Sequence, residues 1–423
     1  MKQYPTYKES GVQWIGLIPE HWEAYPIKWY LQLCKGNKPA ELAESGEEPY
    51  VTMDYIRNRE NKVCMYPANT DGLVHIEDND ILILWDGANA GEVVFGRKGY
   101  LSSTMALCSF DNKVANKEYG YYFLKSLEPI FKQYAGGTTI PHFDSSVLFE
   151  YNYPLPSLSE QQTIAQFLDS KTAKIDESVL LYEQQKADLV EYRKALISDT
   201  VTRGLNPNVP LKDSGIQWLG QIPEGWKIVP LKFLLASGMM YGANESADEP
   251  NMEWPRYIRI TDIAENGSLK DETYMSLFPD KAADYMLQKG DILFARSGAT
   301  VGKTYMFNEN YPACFAGYLI RATCGKDLLP EFLLKYTQSS VYENWKNSIY
   351  IQSTIQNIGA DKYNQMPIPV PSLAEQQAIV SFLDSKTAMI DEAIRRIDEQ
   401  IADLKAYRTA LITDAVTGKI DVR

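Results

Sequence analysis

Gly298-Ala299-Thr300-Val301-Gly302-Lys303-Thr304 has the strongest claim to chemistry of its own, because a glycine-bounded loop ending in Lys-Thr could cradle a phosphate. A phosphate loop needs four residues between its glycines, and here there are three. The matching segment of the first half, Gly87-Ala88-Asn89-Ala90-Gly91-Glu92, puts a carboxylate where the lysine would stand. Both segments therefore read as tight turns between two strands. The three histidines, His21, His75 and His142, are scattered, and glycine (Gly225) stands at the counterpart of His21. No metal site and no Ser-His-Asp constellation follows from them. Cys34, Cys64, Cys108, Cys314 and Cys324 form no CxxC pair, which argues against a zinc ribbon or a disulfide framework. No dinucleotide fingerprint follows a strand. The residues point away from catalysis, so the elements that carry them have to say what the chain does.

Those elements come twice. Lys8-Glu9-Ser10-Gly11-Val12-Gln13-Trp14-Ile15-Gly16 returns as Lys212-Asp213-Ser214-Gly215-Ile216-Gln217-Trp218-Leu219-Gly220. Each copy runs on into Ile-Pro-Glu-x-Trp, at Ile18–Trp22 and Ile222–Trp226. Pro156-Ser157-Leu158-Ser159-Glu160-Gln161-Gln162 returns as Pro371-Ser372-Leu373-Ala374-Glu375-Gln376-Gln377. Between these blocks the copies diverge without losing register. The chain thus reads as one unit written twice, a near-constant frame around a variable middle.

After Pro156 and Pro371 the pattern turns helical. Ser157 and Ser372 are N-cap candidates, and Glu160 and Glu375 stand at capping-box spacing. Ile379, Leu383, Ile390, Ile394, Ile397, Ile401, Leu404 and Leu411 form a heptad seam, matched by Ile164, Leu168, Ile175, Val179, Tyr182, Leu189 and Leu196. A helix of about 40 residues is ~60 Å long and cannot bury such a stripe alone. The two copies are expected to pair antiparallel, related by a pseudo-twofold axis. Phe167/Leu168 and Phe382/Leu383 add a flank that either receives further helices or packs within the chain. The middles read as mixed α/β. Strands are expected near Val51, Ile56, Ile81–Trp85 and Val93–Phe95, and near Ile258–Ile260, Ile292–Phe294 and Thr304–Phe307, with helices near Lys117–Tyr134 and Leu329–Asn347. The fold class is α/β: two mixed domains, 1–156 and 206–368, separated by two long helices, 157–205 and 369–423, that form an antiparallel coiled coil.

The 423 residues carry a net charge of −13, and no region is a basic patch, which excludes tight, autonomous, non-specific binding to nucleic acid. No apolar run reaches membrane-spanning length, and the N-terminus lacks a signal-peptide core, so a cytoplasmic protein is expected.

The repeated Gln-Trp-[Ile/Leu]-Gly-x-Ile-Pro-Glu-x-Trp frame and the Pro-x-Leu-x-Glu-Gln-Gln opening of each helix carry a family resemblance. So do Asp80-Ile81-Leu82 and Gly290-Asp291-Ile292-Leu293, and Val201-Thr202-Arg203-Gly204-Leu205 leading into the second copy. Together they resemble the specificity subunit of type I restriction-modification systems over almost the whole chain. The resemblance implies a non-catalytic DNA-reading subunit with two target-recognition domains. It implies two methyltransferase subunits as partners and, in the full complex, two restriction (translocase-nuclease) subunits. S-adenosylmethionine, ATP and Mg²⁺ would belong to those partners, and none to this chain. The DNA site would be bipartite and asymmetric, with a footprint on the order of 18 base pairs set by the ~60 Å helices.

Candidate DNA contacts in the first domain are Arg57, Arg59, Lys62, Thr138, Thr139 and His142. In the second they are Arg256, Arg259, Arg296, Lys303, Gln352, Ser353, Thr354, Gln356 and Asn357. Arginine pairs with guanine and Gln or Asn with adenine, whereas Lys and Thr more often hold phosphate. Gln161, Gln162, Tyr192, Arg193, Gln376, Gln377, Tyr407 and Arg408 are constant in both copies, and are candidates either for partner contacts or for pairing inside the coil. The competing reading is a non-catalytic scaffold whose two heads bind proteins.

Overall fold

The computed structural model describes residues 2–58, 64–135, 141–247, 250–264, 267–298, 301–350 and 357–423. The chain forms two compact units, residues 1–183 with 398–423, and residues 184–397.

In the first unit four antiparallel strands lie in the order Val93–Phe95, Ile81–Leu84, Met105–Phe110, Leu31–Lys35. Ile81–Leu84 is buried along its whole length, as its unbroken apolar run requires of a central strand. A short parallel pair, Tyr50–Val51 with Gly99–Leu101, stands beside this sheet, and Ile56 falls in a short helix, Met53–Arg57, where a strand was expected. Thr52 caps that helix by accepting from the Tyr55 N–H, which turns the chain out of its extended path. The Lys117–Ala135 helix buries Tyr119, Phe123, Leu124, Leu127 and Phe131 against the sheet.

The second unit repeats the plan. Its sheet runs Met240–Tyr241, Leu319–Ala322, Ile292–Ala295, Thr304–Met306, with a parallel pair, Arg256–Ile258 and Ala313–Phe315. The helix expected near Leu329–Asn347 is two helices, Pro330–Thr337 and Ser340–Tyr350. Ser339 breaks it: its hydroxyl donates to the Tyr336 carbonyl and accepts the Tyr342 N–H.

The frame does the same work in each unit. Glu23–Pro26 pairs with Asn152–Leu155, and Lys227–Pro230 with Pro367–Val370, so the residues before and after each variable middle are clamped side by side. The two long helices are Leu158–Arg203 and Leu373–Val416. Ser157 and Ser372 cap them, each accepting the N–H of the glutamate three residues on at 3.3 Å. The glutamates do not close a capping box. Glu160 takes the Tyr4 hydroxyl at 2.9 Å and lies 3.0 Å from His21 Nε2, while Glu375 takes the Trp226 indole N–H at 3.1 Å. The tryptophans of the Ile-Pro-Glu-x-Trp motif are buried, and each faces the glycine that ends a long helix, Gly418 against Trp22 and Gly204 against Trp226. Both glycines have φ near +75°, the left-handed turn that stops a helix.

In the first unit the start of the first long helix packs with the end of the second. Ile164, Leu168 and Ile175 share a core with Leu411, Ile412 and Val416, and Arg408 pairs with Asp176 at 2.9 Å. In the second unit Ile197 and Val201 share a core with Ile379 and Leu383, and Arg193 pairs with Asp391 at 2.9 Å. The helices are therefore antiparallel in both. Leu168 and Leu383 are buried, and Phe167 and Phe382 lean on their own units' cores, so the extra apolar flank is used within the chain.

Candidate nucleic-acid interface

The variable middles converge on one repeated arrangement. After the central strand of each sheet the chain bridges to the segment that enters the domain's last short helix: Asp86 pairs with His142, and Ser297 with Asn357. The Phe143 N–H donates to the Trp85 carbonyl at 2.7 Å, and the Ile358 N–H to the Arg296 carbonyl at 2.8 Å. These bridges hold His142 and Asn357, both sequence-derived candidates, at the open end of the sheet.

In the first unit the site is a closed polar network. The Trp85 indole donates to His142 Nε2 at 3.1 Å, so the ring's other nitrogen, Nδ1, carries the proton toward Asp86 at 2.5 Å. Lys35 reaches the other Asp86 oxygen at 3.2 Å and lies 5.2 Å from the Trp85 ring centre. Burial raises the Asp86 carboxyl, but the hydrogen bonds from His142 and Lys35 outweigh it and hold the group below the ordinary aspartate range. Arg57 is exposed and paired with Glu92. Arg59, Lys62, Thr138 and Thr139 lie outside the described residues.

In the second unit the candidates divide. Arg256 is buried, donating to the Tyr311 hydroxyl at 3.0 Å and the Lys270 carbonyl at 2.6 Å, with its guanidinium 5.2 Å from the Tyr274 ring centre. It is a core cation, and its place in a strand between two aromatic rings takes it off the surface. Arg259 is turned inward onto Asp262 and the Thr273 carbonyl, and Lys303 donates to the Ile263 carbonyl at 2.8 Å. Lys303 and Arg193 line a cleft of about 720 Å³ together with Gln338, Glu343, Lys346 and Asp391. Arg296 is different: it lies 4.9 Å from the Tyr241 ring centre, beside Asn357 and the exposed Tyr318. Gln352, Ser353, Thr354 and Gln356 lie outside the described residues.

The constant residues also divide. Gln161 and Gln376 are fully buried, and each amide stitches a long helix to its own domain. Gln161 accepts the Asn116 N–H at 2.7 Å and donates to the Val114 and Pro156 carbonyls. Gln376 accepts the Leu329 N–H at 2.8 Å and donates to the Asp327 and Pro371 carbonyls. Arg193 and Arg408 belong to the coil's own ion pairs. Gln162, Gln377, Tyr192 and Tyr407 remain on the surface. Sequence reasoning missed Lys35, Trp85 and Tyr241; the one signal was that Lys35-Gly36 and Tyr241-Gly242 occupy matching places in the repeat.

Comparison with known proteins decides what this arrangement belongs to. The family model described as Type I restriction modification DNA specificity domain matches residues 19–180 and again 223–402, once per copy of the sequence repeat. The chain belongs to this family. It resembles the type I restriction enzyme MjaVIII specificity subunit of Methanocaldococcus jannaschii, with 29% identity over 99% of this chain and 97% of that protein. The EcoKI specificity subunit of Escherichia coli K12 is 28% identical over 48% of this chain and 44% of its own length. Among solved structures, one from work on complex assembly and conformational transition of the type I R-M system covers 95% of this chain and 99% of its own, with a TM-score of 0.72 and 17% identity. The HsdS subunit from Thermoanaerobacter tengcongensis covers 95% and 98%, with a TM-score of 0.51 and 17% identity. The family membership makes this chain a non-catalytic type I specificity subunit involved in DNA target recognition. Among the described residues no helix is long and apolar enough to cross a membrane, and no group of three metal-ligating side chains converges.

Proposed function

We propose that the chain reads a bipartite, asymmetric DNA site, one half through each mixed domain, 1–156 and 206–368, with the long helices of 157–205 and 369–423 as spacer. The observation that carries this is the bridge at the sheet end. It is built identically in both units, yet presents Trp85, Asp86 and His142 in one and Arg296, Ser297 and Asn357 in the other. A shared backbone with different side chains is what two readers of different half-sites require.

Docking of two copies of one methyltransferase subunit is supported by a second repetition. Large apolar side chains stand exposed at matching positions of both units: Trp29 and Phe233, Leu158 and Leu373, Tyr192 and Tyr407. Two restriction subunits would join in the full complex, and S-adenosylmethionine, ATP and Mg²⁺ would be held by the partner subunits. The acidic balance of the chain fits this division, since a reader assisted by partners need not supply the whole phosphate clamp. The test is methylation-sensitive sequencing of DNA from cells expressing this chain with its methyltransferase. Two unlike half-sites around an unread spacer are expected, and a continuous or palindromic site overturns the reading.

A further inference from the structure

At one point in each unit a cation lies on an aromatic ring, and the two members have exchanged strands. Lys35 and Tyr241 are structural equivalents. Each ends an edge strand, opposite Ala106 and Ile320 respectively, and each precedes a glycine whose N–H donates to the facing strand, Gly36 to Met105 and Gly242 to Leu319. A Cβ on either glycine would stand 2.2 or 2.3 Å from a carbonyl oxygen of Ser102 or Ala316, so the backbone there has one path only. Trp85 and Arg296 are equivalents in turn. The N–H of Trp85 donates to the Thr104 carbonyl at 2.7 Å, and that of Arg296 to the Tyr318 carbonyl at 3.0 Å. The first unit thus holds Lys35 over Trp85, and the second holds Arg296 over Tyr241.

The exchange changes what each site can offer. Lys35 is neutralised by Asp86, which also takes His142. In the second unit serine (Ser297) stands in place of that carboxylate, and among the described residues the Arg296 side chain has no hydrogen bond or ion pair. Among the described residues its buried Nε meets no acceptor, and neither do the outer amines of the fork. The Tyr241 hydroxyl accepts the Ala360 N–H at 3.0 Å, which fixes the ring under the guanidinium. A planar fork held over an aromatic ring, with no ion-pair partner among the described residues, matches the O6 and N7 acceptors of guanine in the major groove.

We propose that Arg296 reads a guanine in the half-site bound by the second unit, with Tyr241 as its positioning residue, and that the equivalent place in the first unit makes no such contact. This rests on the DNA-reading function proposed above. The test compares the full chain, expressed with its methyltransferase, with its Arg296→Lys, Arg296→Ala and Tyr241→Ala variants. Methylated sites are sequenced, and binding is measured on a duplex library over a range of salt.

Wild type is expected to require a guanine in one half-site. Arg296→Ala and Arg296→Lys relax that single position by roughly ten- to a hundredfold and leave the other half-site unchanged. Arg296→Lys keeps the salt dependence of binding, and Tyr241→Ala loosens the same guanine and no other base. Guanine discrimination intact in Arg296→Ala overturns the assignment. Should that variant fail to fold, Arg296→Gln decides: a shift toward adenine at the same position supports the proposal, and an unchanged guanine sinks it. A wild-type complex that methylates without any sequence preference removes the DNA-reading function itself, and this assignment with it.

Discussion

Gln161 and Gln376 show how a residue that is constant in both copies can be constant for reasons of folding. An amide offers donors and an acceptor on one flat group, and at the first turn of a long helix it meets one loop N–H and two loop carbonyls. Gln161→Leu keeps the volume and leaves those groups buried and unpaired. It is expected to lower stability by roughly 2–3 kcal/mol, while Gln162→Ala, on the exposed face, changes it by less than about half a kcal/mol. Urea unfolding of the two variants checks this, and equal losses would return both residues to the surface. The sequence shows the amide and its spacing but not which way it faces, because that depends on loops more than 40 residues away. Arg256 hid its burial in the same manner, since Tyr274 and Tyr311 close over it only in the folded domain.

At the scale of the element, the long helices were legible because a 3.5-residue period over several heptads has one physical meaning. Arg193 and Arg408 were open to two readings, since an arginine constant in both copies serves either the coil or a partner; the structure pairs them with Asp391 and Asp176. The Lys117–Ala135 helix was legible too, but its tyrosines carry a consequence that periodicity does not display. Burial raises Tyr119 well above its ordinary range and pushes Tyr121 up to about 12. Tyr153, packed edge-on against Tyr119, is raised by burial as well. A raised folded-state pKa means that this contribution to stability is whole below pH 10, where unfolded tyrosine is also protonated, and is lost as pH rises through the folded values. Above pH ~10 the protein is therefore expected to lose stability steeply: exposed tyrosines ionise while it is folded, and the buried remainder of the tyrosinate absorbance appears only with unfolding. Complete ionisation of the tyrosines in a protein that stays folded would contradict the burial of this helix.

For the whole molecule, the clamps between Glu23–Pro26 and Asn152–Leu155, and between Lys227–Pro230 and Pro367–Val370, explain how the two copies can share a frame while their middles differ. Exchanging residues 30–150 for the matching segment of another family member leaves the first clamp in place. It is expected to change one half of the methylated site only, and a change in both halves, read by sequencing the modified DNA, would contradict the two-reader arrangement. The division into repeated frame and variable middle could be read from the sequence. The pairing of Lys35 with Trp85 and of Tyr241 with Arg296 could not, because it depends on the register of strands some 50 residues apart.

The first unit is built from residues 1–183 and 398–423, and the Tyr119 hydroxyl donates to the Val416 carbonyl across that gap. Residues 184–397 form the second unit without interruption. On a ribosome adding about 5–20 residues per second, the first unit waits roughly 10 to 40 seconds for its missing helix. Through that interval the apolar faces of Ile164 and Leu168 have no Leu411 or Val416 to cover them. The unit that is translated first is thus the last to receive all of its residues.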